Sequence, residues 1–252
     1  MTIASVFDSP TLRKGLVASA IATTALLGNL TGTAKAEEIT ITVENLSPNQ
    51  GLVLTPFWVG FHEGSYDLFA LDMPASEGLE IIAEDGDTSV LSEEFLSSDA
   101  ARTEGVIRGE DGSPLIQPGA SASVTVDVDL TSPSSRYFSY ASMILPSNDG
   151  FIGNGDGLSY PLFDTSDNFI GIEFVVTGAQ VWDAGTEVND ESPQSVPLLG
   201  DAHFVGPTEN GTVMVHPGFI PGGTILQAYP QADFAQMRNM PVARINVALA
   251  QP

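Results

Sequence analysis

The chain has 252 residues, with 32 acidic against 8 basic side chains, a formal charge of −24, three histidines and no cysteine. Its 42% hydrophobic content supplies enough apolar material for one sizeable core. Without cysteine there is no disulfide scaffold, thiol nucleophile or thiolate metal site, and the negative field repels nucleic acid and anionic lipid.

Arg13 and Lys14 precede an apolar run from Gly15 to Leu27 that is too short to cross a bilayer, and the small-x-small string Ala34-Lys35-Ala36 comes after it. Residues 1–36 therefore read as a signal peptide, with cleavage before Glu37. The remaining domain, 37–252, is expected to be secreted or periplasmic, with no integral membrane segment after cleavage. Cleavage removes Arg13, Lys14, Lys35 and Asp8, which leaves five arginines, no lysine and 31 acids, net −26. Most carboxylates then lack a cationic side chain and are held by water, mutual distance or bound cations, which favours a salty or calcium-containing compartment. Export without cysteine leans toward a bacterial protein.

Period-two patterns dominate residues 37–252. Ile39, Ile41 and Val43 share one face of a strand, and Val124, Val126, Val128 and Leu130 share one face of another. Between them, Ser76 precedes the helical pattern Glu77 to Glu84, and Thr88 precedes Ser89 to Leu96; each hydroxyl is placed to cap its helix, with Asp85-Gly86-Asp87 as the break. Further strands are expected over Tyr137 to Leu145, Phe169 to Thr177, Thr212 to Val215 and Val242 to Leu249. Segments Glu191 to Gly200 and Pro217 to Gly223 read as long loops, and Asn210-Gly211 as a tight hairpin turn. Many strands with one small helical insertion indicate an all-β, antiparallel β-sandwich.

Catalytic signatures are sparse. No Gly-x-Ser-x-Gly elbow occurs, and His62, His203 and His216 do not form a His-Glu-x-x-His helix. A glycosidase needs two spaced carboxylates, which so acidic a chain satisfies without specific support. The loop acids carry more information. Asp149 comes after the strand ending at Leu145, and Asp183 and Glu187 lie four apart around Ala184-Gly185. Such loops either turn their carboxylates toward one hard divalent cation, which takes six to eight oxygens, or leave them solvated. An EF-hand is excluded, because with Asp156-Gly157 at loop positions 5 and 6 the end positions fall on Ile152 and Phe163.

Four ordered stretches carry a resemblance: Thr55-Pro-Phe-Trp-Val-Gly-Phe-His62, Ala75-Ser-Glu-Gly-Leu-Glu-Ile-Ile-Ala-Glu-Asp-Gly86, Ser142-Met-Ile-Leu-Pro-Ser-Asn-Asp149 and Asp183-Ala-Gly-Thr-Glu-Val-Asn189. Over residues 39–195 the chain resembles the spondin domains of F-spondin and mindin, which also occur as free-standing secreted bacterial proteins. The resemblance implies a C2-like β-sandwich with a divalent metal, usually calcium, held by loop acids at one end. Its ligand positions fall on Asp149, Asp183 and Glu187, where Glu187 replaces an aspartate with a longer arm, and on Asp129 when a one-residue gap is allowed. The thrombospondin repeats and basic surfaces of the animal proteins are absent, so their partners do not transfer. Trp58 and His62 are expected to pack the segment after the first strand, and Trp182 to anchor the metal loop. The expectation is a non-catalytic calcium-binding or adhesion module with an extracellular or envelope partner. The alternatives are an exported hydrolase of carbohydrate or phosphate esters using the same acids, and a purely structural envelope or matrix protein.

Overall fold

The computed structural model describes residues 36–110, 113–200, 206–236 and 238–251. The expected signal peptide, apart from Ala36, and His203 lie outside the described residues. Eleven strands form two antiparallel sheets: β1 Glu37–Asn45, β2 Val53–Leu54, β3 Phe57–His62, β4 Ala101–Ile107, β5 Ser121–Val128, β6 Tyr137–Leu145, β7 Gly150–Gly153, β8 Ile172–Thr177, β9 Val181–Asp183, β10 Met214–Val215 and β11 Pro241–Leu249. One sheet has the order β5-β1-β11-β8; the other runs β10-β9-β7-β6-β3-β4, with β2 also paired to β6. Three α-helices, α1 Glu77–Asp85, α2 Ser89–Ser97 and α3 Thr224–Ala228, and two 3-10 turns at 133–135 and 178–180 accompany the strands among the described residues. The all-β sandwich is thus the observed architecture, and among the described residues no helix is long and apolar enough to cross a membrane.

The inner faces of the two sheets enclose the main core. Ile39, Ile41 and Val43 of β1 and Ile245 and Val247 of β11 meet Phe57, Val59 and Phe61 of β3 and Phe138 and Tyr140 of β6. A second core covers the outer face of the larger sheet, where Leu79, Ile82, Leu91 and Phe95 from the two long helices pack on Trp58, Ala141 and Phe151. Strand β3 is therefore buried on both faces and reads as an unbroken apolar run without alternation. Burying each of its large side chains contributes roughly 1.5–3 kcal/mol. Gly60 is required there, since a Cβ would stand 2.6 Å from Cζ of Phe95. Trp58 and His62 are packing residues as expected: Trp58 donates through Nε1 to Glu104 at 2.7 Å, and His62 Nε2 lies 2.9 Å from the Ser139 hydroxyl.

Two expectations need correction. Ser76 caps α1 by accepting from the Leu79 N–H at 3.2 Å, but Thr88 makes no side-chain cap bond. Thr88 has helical backbone angles, and Asp87, one residue earlier, accepts the Ser89 N–H at 2.9 Å instead. Asn210 takes a positive φ of 53° without closing a hairpin; Glu209 and Gly211 donate their N–H groups to the carbonyls of Thr186 and Gly185. The segment leading into β10 therefore runs beside the 184–188 loop. The Pro217 to Gly223 loop ends in α3, where Glu191, itself buried, accepts the Ile225 N–H at 3.1 Å and the Ile220 N–H at 2.5 Å.

Candidate metal centre

The turn from β6 to β7 contains a cis Leu145–Pro146 bond and places Asp149 directly before β7. Strand β7 pairs with β9 so that Gly150 faces Asp183, and the Ala184 N–H donates to the Asp149 carbonyl at 3.2 Å. This register brings Asp149 and Asp183 together. The Ala184-Gly185 bend then carries Glu187 back, and the N–H groups of Thr186 and Glu187 donate to Asp149 Oδ2 at 3.0 and 3.1 Å. All three side chains are buried, at 0%, 2% and 4% exposure for Asp149, Asp183 and Glu187.

Their remaining oxygens differ. Asp183 Oδ1 accepts the Gly185 N–H at 2.8 Å and its Oδ2 accepts from Asn189 Nδ2 at 2.6 Å. Glu187 Oε1 accepts the Gly206 N–H, while Asp149 Oδ1, fully enclosed, has no hydrogen-bond partner. Burial, then the neighbouring Asp183 charge, pushes the Asp149 carboxyl up to about 7. Burial also pushes Glu187 up to about 7; the Gly206 hydrogen bond opposes this rise, and Glu84 and Asp149 add to it.

Glu84 and His216 are members that sequence reasoning missed. Glu84, in the last turn of α1, is half-buried and bonded to the Thr186 side chain; burial raises its pKa against that bond, and Glu80 and Asp85 raise it further. Its signal in the sequence is the Glu84-Asp85 pair at the C-terminal end of a helix, where the macrodipole favours a cation. His216, one residue past β10, accepts the Gly218 N–H at Nδ1 at 3.0 Å, and its Nε2 has no partner. Burial pushes it down to about 4, and only the Asp183 charge opposes this.

Asp129 is not brought to this cluster. It lies just after β5, where its Oδ1 accepts the N–H and hydroxyl of Thr131 at 2.9 and 2.6 Å, and these bonds hold its pKa below the ordinary value. The 3-10 turn at 133–135 then leads into β6 at Tyr137, so Asp129 lies toward the end of the strand opposite Asp149. Nine residues of β6 span about 25 Å. The gap in the resemblance at this position marks a turn acid satisfied by its own loop.

A family model, Spondin_N, matches residues 48–195, more than half of the chain. The chain belongs to the Spondin_N family. No curated protein matches it. The matched span of this spondin domain includes Glu84, Asp149, Asp183 and Glu187, whereas Gly206 and His216, which close the cluster, lie beyond it.

The donor chemistry of the cluster fits a hard divalent cation: the groups are carboxylates, no Lys or Arg among the described residues is hydrogen-bonded to them, and one buried oxygen of Asp149 is unpartnered. The fit is limited in number. Among the described residues no group of three or more His, Asp or Glu side chains is arranged to hold a metal ion. Glu187 has one oxygen on the Gly206 N–H and its other oxygen without a hydrogen bond from the described residues, and carbonyls and water would complete a sphere begun by the carboxylates.

Proposed function

We propose that this spondin domain is a secreted or periplasmic, non-catalytic binding module with calcium among its loop carboxylates. The supporting observation is the unpartnered, fully buried Asp149 Oδ1 beside Asp183 and near Glu84, with no cationic side chain among the described residues hydrogen-bonded to them. Calcium, when bound, would supply the positive charge these acids lack. Asp149 through Oδ1, Asp183 and Glu187 would be the residues that hold it. Because Asp149 lies before β7 and Asp183 at the end of β9, sharing one ion would tie the β6–β7 turn to the 184–188 loop, and anything binding only the folded state stabilises it. An extracellular or envelope partner would dock on a surface made rigid in this way.

The hydrolase reading is weaker, because these acids are almost wholly buried and offer no route to a glycoside or a phosphate ester. The test is isothermal titration of chelator-treated protein with calcium. Uptake near one ion per chain, lost in Asp149→Asn and Asp183→Asn while both variants remain folded, is the expected result. No uptake by the parent protein, or uptake unchanged in both variants, rejects the calcium reading.

A further inference from the structure

Successive side chains of a strand point to opposite faces, so Trp182 leaves β9 on the side away from Asp183. There it lines a groove of about 530 Å³, a size suited to a small ligand. Phe69 and Tyr160 share the lining, Asp67 and Asp156 add carboxylates, and no basic side chain among the described residues lines it.

The aromatic walls are fixed before any ligand arrives. Trp182 donates through Nε1 to the Gly153 carbonyl at 2.9 Å, Phe69 lies edge-on to buried Phe151 at 5.3 Å, and Tyr160 stacks on Phe174 at 3.9 Å. The carboxylates are held by backbone: Asp67 Oδ1 accepts the Gly157 N–H at 3.0 Å and Asp156 Oδ1 the Leu158 N–H at 2.8 Å. Both acids line the groove, their donors are consecutive backbone N–H groups, and both are exposed.

The two neutral amides that could read a sugar, those of Asn154 and Gln180, are already engaged. Asn154 donates to the Ser139 hydroxyl and the Asp156 carbonyl and accepts the Tyr140 N–H, and Gln180 Oε1 accepts the Thr177 N–H. What remains facing a ligand is negative charge beside aromatic rings, with the Ser159 hydroxyl as the one neutral side-chain group left over among the described lining residues. Carboxylates take charged hydrogen-bond donors, rings attract cations over their faces, and a chain of charge −24 concentrates cations around itself.

We propose that this groove binds an organic cation, an alkylammonium or guanidinium group, with its charge on Asp67 and Asp156 and its apolar or planar body against Phe69, Tyr160 and Trp182. A free polyamine and the lysine or arginine side chain of a basic polypeptide share this chemistry. The site uses none of the buried acids, so it stands independently of the calcium reading.

Tryptophan fluorescence reads it, because Trp58 is fully buried and Trp182 is partly exposed. Putrescine and N-acetyl-arginine amide, each titrated at constant ionic strength with and without chelator, are expected to give a saturable change. The double substitution Asp67→Asn with Asp156→Asn keeps an oxygen for each backbone N–H and is expected to raise the half-saturation concentration at least tenfold with an unchanged unfolding transition. Saturation by putrescine alone assigns the site to free amines, and saturation by the arginine derivative assigns it to a basic side chain. No saturable response to either cation, an equal response in the double variant, or saturation by a neutral methyl glucoside in place of the cations overturns the proposal.

Discussion

Asp129 and Asp149 are the same residue type near opposite ends of β6, and their surroundings could hardly differ more. Asp129 stands at a turn whose own residue Thr131 supplies a hydroxyl and an N–H, and its pKa falls. Asp149 is enclosed, shares its space with other acids, keeps one oxygen unpartnered and has its carboxyl pushed up to about 7. A satisfied carboxylate needs nothing further, whereas an enclosed and unsatisfied one requires a proton or a cation. Burial alone does not separate the two cases. Glu191 is as buried as Glu187, yet each of its oxygens accepts a backbone N–H, from Ile220 and Ile225.

Glu191 therefore gives the largest expected effect. Glu191→Ala leaves two enclosed N–H groups without acceptors and should lower stability by about 3 kcal/mol in urea unfolding. Glu191→Gln, which still offers one acceptor oxygen, should recover part of that loss. Equal stability of Glu191→Ala and the parent would mean that the 217–228 segment is not held by this carboxylate.

Calcium comes next. At one hundred times its dissociation constant it should add about 2.7 kcal/mol and raise Tm by several degrees. Calorimetry should find that increment in the parent protein and not in Asp149→Asn.

The pH dependence sharpens the same contrast. Asp149 and Glu187, pushed up to about 7, stay protonated in the folded state where the unfolded chain has already ionised. Their contribution is present at acid pH and is lost as pH rises toward 7. His62 and His216, pushed down to about 4 by burial, stay neutral where the unfolded chain is charged, so their contribution is lost as pH falls from 6.5 toward 4. Across pH 4.5 to 6.5 the raised acids, Glu84 among them, oppose the two histidines, and calcium-free protein should show a shallower profile than either set alone would give. Asp149→Asn removes one acid from that balance, so its stability should rise with pH relative to the parent by about 1 kcal/mol per unit. Parallel profiles from urea midpoints would show that Asp149 does not hold the extra proton.

Much of the framework was legible because half-buried strands alternate. Ile39, Ile41 and Val43 marked β1, the expected strand from Tyr137 to Leu145 coincides with β6, and Ser76 marked the start of α1. Strand β3 was read only as a packed segment, since both of its faces are covered and no alternation survives. Strands β7 and β9 have four and three residues, and pairing rather than pattern makes them strands. In the site, the loop acids alone left Asp149, Asp183 and Glu187 as either ligands or solvated residues, and the family resemblance singled them out; the structure brings them together and buries them. Glu84 was not legible, because an acid on an amphipathic helix reads as solvent-facing, and the role of residues 206–216 depends on a loop pairing that no local pattern encodes.

The smallest effect belongs to Asp129, where the contrast with Asp149 is most easily broken. Asp129→Asn keeps an oxygen for the Thr131 N–H and hydroxyl at an exposed turn, so Tm should move by no more than about 1 °C. Calcium uptake should also be unchanged, since β6 separates this turn from the buried acids. A loss of uptake in Asp129→Asn matching that in Asp149→Asn would place a ligand at the far end of the strand. The ion would then have to sit at a satisfied surface turn, and the unpartnered oxygen of Asp149 would need another explanation.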